Sequence, residues 1–138
     1  MATPPKEISG SCHCGAVRWT YKHSGEKPLR ATACNCTVCR RYGVLWIYGH
    51  VGEEVELLGQ TTAYVRGTSL DFHFCPACGC VAAWRSLTAK DDGRRMMAVN
   101  VRLAEPDDVA ALPIRHFDGL DTFHDRPQDG RCVKDMWF

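Results

Sequence analysis

The sequence predicts a mainly β protein, and three features support this prediction. Short segments rich in β-branched and aromatic residues recur along most of the chain, and turns containing Gly or Pro separate them. Helical signals are confined to one brief segment. Nine cysteines in 138 residues can hold metal ions that crosslink the modest core of so short a chain. We therefore expect one domain, residues 1–138, built from small packed antiparallel sheets.

Nine segments predict strands. The clearest is residues 16–22, in which Val17, Trp19 and Tyr21 face one side and polar residues face the other. Residues 95–103 alternate in the same way, which is typical of a strand with one buried face. The other predicted strands are residues 29–33, 44–48, 55–58, 62–66, 70–74, 81–85 and 114–117.

One short helix is predicted near residues 106–112. Pro106 suits the first helical turn, and Asp107 and Asp108 are favourable near a helix N-terminus. Pro113 then ends the segment, so the helix would be about two turns long.

Charge and composition exclude two classes of partner and favour a cytoplasmic protein. The chain has 17 Lys and Arg against 16 Asp and Glu, which leaves no basic surface for nucleic acid or for an anionic membrane. No segment approaches the ~20 apolar residues that a membrane span needs. The first residues lack the apolar stretch of a secretion signal. We therefore expect a cytoplasmic protein whose thiols are kept reduced.

The cysteines are interpreted as metal ligands. A disulfide framework fits poorly because nine is an odd number and no export signal is present. In Cys12-His13-Cys14 and in Cys75-Pro76-Ala77-Cys78, two thiols lie close enough in sequence to face one ion. Two such pairs complete a tetrahedral four-cysteine zinc site, which has no open position and is therefore structural.

A second zinc site is predicted at Cys34, Cys36 and Cys39. Three thiolates leave one tetrahedral position for an exchangeable ligand, as in catalytic zinc sites. A zinc with three thiolates is a weak Lewis acid, so it is better suited to holding an incoming thiol as a thiolate than to splitting water. We expect two zinc ions per chain, and a three-ligand site on a short loop is expected to lose its metal more readily.

The alternative is that a fourth side chain closes this second site. The candidates are Cys80, Cys132, His50, His73, His116 and His124. Of these histidines, His50, His73 and His116 are also the candidates for a general base. The sequence does not decide between these roles.

Three cysteine motifs in this order resemble the glutathione-dependent formaldehyde-activating enzyme family, which also includes centromere protein V. They are residues 10–17 (GSCHCGAV), 34–39 (CNCTVC) and 74–79 (FCPACG). Residues 97–101 (MAVNV) and 115–119 (RHFDG) also resemble small bacterial members.

The resemblance implies a β-tent fold, in which small antiparallel sheets surround a structural zinc held by Cys12, Cys14, Cys75 and Cys78. It also implies a second, catalytic zinc held by the three-cysteine motif. The family's activity joins glutathione to formaldehyde and gives S-hydroxymethylglutathione. That activity is classed as a carbon–sulfur lyase.

Three functional hypotheses follow from the sequence. The first is a zinc enzyme that adds a glutathione-like thiol to a small aldehyde such as formaldehyde, with these small molecules as its partners. The second is a binding module in which both metals are structural, which a closed fourth position would favour. The third is a thiol-based reductase, which requires a reactive cysteine outside the metal ligands, such as Cys80 or Cys132.

Overall fold

The computed structural model of the protein describes residues 7–136, which contain ten strands, two α-helices and two 3-10 helices. Residues 1–6, which carried the argument about a secretion signal, lie outside the described residues. The strands are β1 (Glu7–Ser11), β2 (Arg18–Lys22), β3 (Ala31–Cys34), β4 (Trp46–His50), β5 (Val55–Leu58), β6 (Thr62–Arg66), β7 (Leu70–Phe74), β8 (Val81–Ser86), β9 (Met96–Asn100) and β10 (Ile114–Phe117). The helices are α1 (Cys39–Tyr42) and α2 (Pro106–Val109), and the 3-10 helices are Val101–Leu103 and Val133–Met136.

The strands form two sheets. The smaller sheet has the order β1-β2-β5, and the larger has the order β10-β3-β4-β9-β8-β7-β6. Neighbouring strands are antiparallel except for β10 and β3, which run parallel. No helix within residues 7–136 is long and apolar enough to cross a membrane.

The predicted mainly β class is confirmed, and so is a short helix that begins at Pro106. The helix ends at Val109, earlier than predicted. Strand β1 was not predicted, because Ile8 is its one large apolar residue. Helix α1 was also not predicted, because four residues are too few to show helical periodicity. The parallel pairing of β10 with β3 departs from the expected all-antiparallel arrangement.

The central strands of the larger sheet are covered on both faces, whereas edge strand β6 is exposed along its length. Because side chains alternate along a strand, Ile47 packs into the main core, while Trp46 points to the opposite face. There Trp46 joins Phe72 and Trp84 in a second apolar cluster, which also contains Cys36 and Cys39. The three-cysteine motif therefore lies on the outer face of the larger sheet.

Candidate metal centres

The structure brings Cys12, Cys14, Cys75 and Cys78 together, with all four sulfur atoms within 4.8 Å of one another. The Sγ atom of Cys14 lies 3.7 Å from that of Cys12 and 3.6 Å from that of Cys75. These separations are far longer than the ~2.05 Å of a disulfide bond. Four sulfurs at ~2.3 Å from a tetrahedral zinc lie about 3.8 Å apart, so the cluster fits zinc.

Two tight loops form this four-cysteine cluster. The pair in the first loop follows β1 and the pair in the second follows β7, so a shared ion would tie the two sheets together. Gly79 adopts a φ of 83° and donates its backbone N–H to the carbonyl of Cys75 at 2.8 Å. Backbone amides also reach the sulfurs, because Val17 donates to Cys12 at 3.3 Å and Cys78 donates to Cys75 at 3.5 Å. Such N–H donors stabilise thiolates.

Hydrogen bonds and neighbouring sulfurs shift the pKa values of Cys78 and Cys14 in opposite directions. Backbone hydrogen bonds from Cys80 and Cys14 lower the pKa of the Cys78 thiol to about 5. A backbone hydrogen bond from Ala16 acts to lower the pKa of Cys14, but contacts with neighbouring sulfurs, first Cys75, raise it to about 11. Adjacent thiolates repel one another, so full ionisation of the cluster requires a cation between the sulfurs.

The structure also brings Cys34, Cys36 and Cys39 within 4.8 Å of one another. Cys34 ends β3, and Cys39 begins α1. The N–H of Cys39 donates to the sulfur of Cys36 at 3.4 Å, and the indole Nε1–H of Trp46 donates to the sulfur of Cys39 at 3.4 Å. Cys36 and Cys39 are buried, whereas Cys34 is half-buried. This three-cysteine cluster also suits a soft metal such as zinc.

The half-buried thiol of Cys34 is more acidic than that of Cys39. A hydrogen bond with Cys39 lowers the pKa of Cys34 to about 6, and the same contact raises the pKa of Cys39. A bound cation would again be needed for all three thiolates to coexist.

No fourth Cys, His, Asp or Glu joins this three-cysteine cluster in the described part of the chain. Three candidate histidines are held elsewhere, each by a carboxylate. His50 Nδ1 lies 3.1 Å from Glu54, His73 Nε2 lies 3.0 Å from Asp71, and His116 Nε2 lies 3.1 Å from Asp129. Residue His124 is exposed.

The two remaining candidate cysteines are also outside the three-cysteine cluster. Cys80 lies beside Cys78 of the four-cysteine cluster. A backbone hydrogen bond from His13 acts to lower the pKa of Cys80, but burial and the contact with Cys78 raise it. A raised pKa disfavours the reductase hypothesis at this thiol. Cys132 lies near the end of the chain, where its amide donates to Asp135 at 2.8 Å.

The loop after β10 is an element of the site to which sequence analysis assigned no role. Its centre is Asp118, a buried carboxylate that accepts five hydrogen bonds. The donors are the side-chain amide of Asn35, the backbone amides of Leu120, Asp121 and Thr122, and the hydroxyl of Thr122. Burial acts to raise the pKa of Asp118, but these hydrogen bonds lower it to about 2.

This loop closes one side of the three-cysteine cluster. Asn35 lies between Cys34 and Cys36, so its hydrogen bond to Asp118 joins the two loops directly. A Cβ atom placed on Gly119 would lie 2.6 Å from the sulfur of Cys34 and 3.2 Å from the Cβ of Cys36. The one sequence signal for the loop was the RHFDG segment, residues 115–119.

Acid should release this loop. The depressed pKa of Asp118 means that the ionised carboxylate stabilises the fold above about pH 4, and this contribution is lost as the pH falls towards 2. We expect Asp118→Asn to lower the free energy of unfolding at neutral pH, and the difference from the unsubstituted protein to shrink between pH 4 and pH 2.5. Urea unfolding at several pH values, with both proteins in the same metal state, measures the difference. A difference that stays constant down to pH 2.5 would contradict this assignment.

Comparisons with known proteins agree with this geometry. Residues 7–113 match the family described as glutathione-dependent formaldehyde-activating enzyme. A crystal structure of a Rhodobacter sphaeroides protein is similar, with 26% sequence identity and a TM-score of 0.55. The alignment covers 78% of this chain and 99% of that one. Among curated proteins, no significant match is found.

Proposed function

The chain belongs to the glutathione-dependent formaldehyde-activating enzyme family, and we propose that it adds a glutathione-like thiol to a small aldehyde such as formaldehyde. The proposed activity is that of a zinc-dependent carbon–sulfur lyase. The observation that carries the proposal is the three-cysteine cluster, to which the described residues supply no fourth ligand. Such a cluster suits a metal that must accept an exchangeable ligand. A cytoplasmic setting, which we also propose, would keep its thiols reduced.

We assign a structural zinc to Cys12, Cys14, Cys75 and Cys78. We assign a second zinc to the three-cysteine cluster, where Cys34, Cys36 and Cys39 would hold it. When bound there, the metal would supply positive charge and one exchangeable position, which favour the thiolate form of a substrate thiol.

The chain itself orients the cluster and excludes water from one side. Trp46 and Phe72 are 1% and 0% exposed and form an apolar wall next to Cys39. The hydrogen bond from the Trp46 indole fixes the sulfur of Cys39. Cys34 is the half-buried member, so substrate would approach on its side. The candidate bases His50, His73 and His116 each contact a carboxylate and none of them joins the cluster, so we assign the substrate proton to solvent.

The proposal predicts two zinc ions per chain and a catalytic dependence on one of them. Cys36→Ser should lose one zinc and most of the aldehyde-addition activity, because the remaining two thiolates hold the metal poorly. Metal analysis gives the zinc content. Exchange NMR between ¹³C-formaldehyde and its glutathione adduct gives the rate of addition.

Cys132→Ser is the matched control, since this thiol lies outside both clusters, and it should keep both zinc ions and the full rate. Either of two results would refute the proposal. One is a fully loaded protein that binds a single zinc. The other is a cobalt-substituted protein whose visible spectrum does not change when glutathione is added.

A further inference from the structure

Arg115 is a rigidly held cation beside the three-cysteine cluster, and the proposed chemistry does not yet use it. It lies opposite Thr32 in the parallel pairing of β10 with β3, two positions before the pairing of Phe117 with Cys34. Its guanidinium carbon lies 5.1 Å from the centre of the Phe117 ring and 5.5 Å from that of Tyr48. Contacts with two aromatic rings fix the plane of the guanidinium group.

Most of the hydrogen-bonding capacity of Arg115 remains unused. Its Nε–H donates to Asp125 at 2.7 Å, and within residues 7–136 the guanidinium makes no other hydrogen bond. The side chain is 19% exposed and lines a cavity of about 130 Å³. The terminal nitrogens can therefore donate to a ligand in that cavity, and a carboxylate matches their geometry with two parallel hydrogen bonds.

The charges around the cavity favour an anion. Its two acidic residues, Glu26 and Glu54, both face Arg94, at 3.6 Å and 3.8 Å. Two further cations, Lys27 and Arg30, line the cavity and form no ion pair in the part of the chain that the structure describes. The two glutamates share Arg94 with Glu53, so the groups left to meet an anion are Lys27, Arg30 and the terminal nitrogens of Arg115.

We propose that Arg115 binds the C-terminal carboxylate of the thiol substrate; this inference rests on the proposed function. Thr32 precedes Cys34 by two residues, so Arg115 lies about 7 Å along the strand from the level of the cluster. A peptide thiol with a carboxylate at that distance from its sulfur reaches both positions at once. Arg115 would therefore select a thiol that bears a carboxylate over a small neutral thiol, which lacks this contact.

The test measures binding without catalysis. S-methylglutathione cannot add to an aldehyde, and NMR titration of the zinc-loaded protein gives its affinity. Its analogue with the glycine carboxylate converted to an amide should bind about 10- to 100-fold more weakly, the loss expected for a hydrogen bond between charged groups. Arg115→Gln should bind both compounds with the same low affinity, and Arg115→Lys should be intermediate because it keeps the charge without the planar fork.

Arg66→Gln is the matched control, since Arg66 is exposed on edge strand β6 and does not line the cavity. The Arg66→Gln variant should still bind S-methylglutathione more tightly than its amide analogue. The affinities for S-methylglutathione and its amide are also compared on the unsubstituted protein. That comparison needs no variant, so a folding defect cannot obscure it. Equal affinity for the two compounds, or an undiminished preference in Arg115→Gln, would overturn the inference.

The same design separates this inference from the proposed function. A protein that binds the acid preferentially but never accelerates aldehyde addition supports the role of Arg115 and refutes the activity. A protein that catalyses addition but binds S-methylglutathione and its amide equally supports the activity and refutes the role of Arg115.

Discussion

Replacing Cys75 with serine is expected to remove the four-cysteine zinc and unfold the protein. Cys75 is fully buried, and its sulfur lies 3.6 Å from that of Cys14 in the other loop. Structural zinc contributes about 10–16 kcal/mol of apparent folding free energy in small zinc-binding peptides. Small domains are stable by only about 5–15 kcal/mol, so loss of this ion exceeds what the remaining core can offset.

Metal content and circular dichroism measure this result together. We expect Cys75→Ser to lose the cooperative thermal transition of the native protein. A strong chelator should do the same to the unsubstituted chain, which separates metal loss from the cost of burying a hydroxyl group. Cys132→Ser should leave Tm and zinc content unchanged. A Cys75→Ser protein that retains both zinc ions and the native Tm would refute a structural role for the four-cysteine cluster.

The features that the sequence predicted best depend on local patterns. The predicted strands 62–66 and 70–74 are β6 and β7 with their observed ends, and β-branched and aromatic residues identified β4 with a shift of two residues. The cysteine spacing also predicted both groups of sulfurs that the structure brings together. Metal ligands need only the right atoms at the right separations, so short motifs carry that information over a long sequence distance.

The features that the sequence did not predict depend on contacts between distant segments. The parallel pairing of β10 with β3 brings residues about eighty positions apart into register. This pairing places Asp118 beside Asn35 and Arg115 between two aromatic rings. An aspartate before a glycine is a common turn signal, so nothing local distinguishes Asp118 from any other turn residue.

Replacing Gly119 with alanine is expected to disable the three-cysteine cluster without unfolding the protein. The added methyl group would lie 2.6 Å from the sulfur of Cys34, a separation at which atoms overlap. The loop cannot easily retreat, because Asp118 and Asn35 bind its backbone. The sulfur of Cys34 must therefore move, and three sulfurs can no longer surround one metal at ~2.3 Å each.

The expected result for Gly119→Ala is the loss of one zinc per chain and at least a ~100-fold lower rate of aldehyde addition, since misplacing reacting groups by about 1 Å has effects of that size. In the cobalt-substituted protein, the sulfur-to-metal absorption should fall to that of the four-cysteine cluster alone. The Tm should change little, because that cluster and the main core lie elsewhere.

Gly67→Ala is the matched control. Gly67 has a φ of 58° and no atom close to the position of an added Cβ, so the substitution introduces backbone strain without a clash. It should lower Tm slightly and leave both metals and the activity in place. If Gly119→Ala instead keeps two zinc ions and the full rate, the loop after β10 does not set the position of Cys34. If Gly119→Val shows a deeper loss than Gly119→Ala, the effect follows the size of the side chain, as a clash with the sulfur requires.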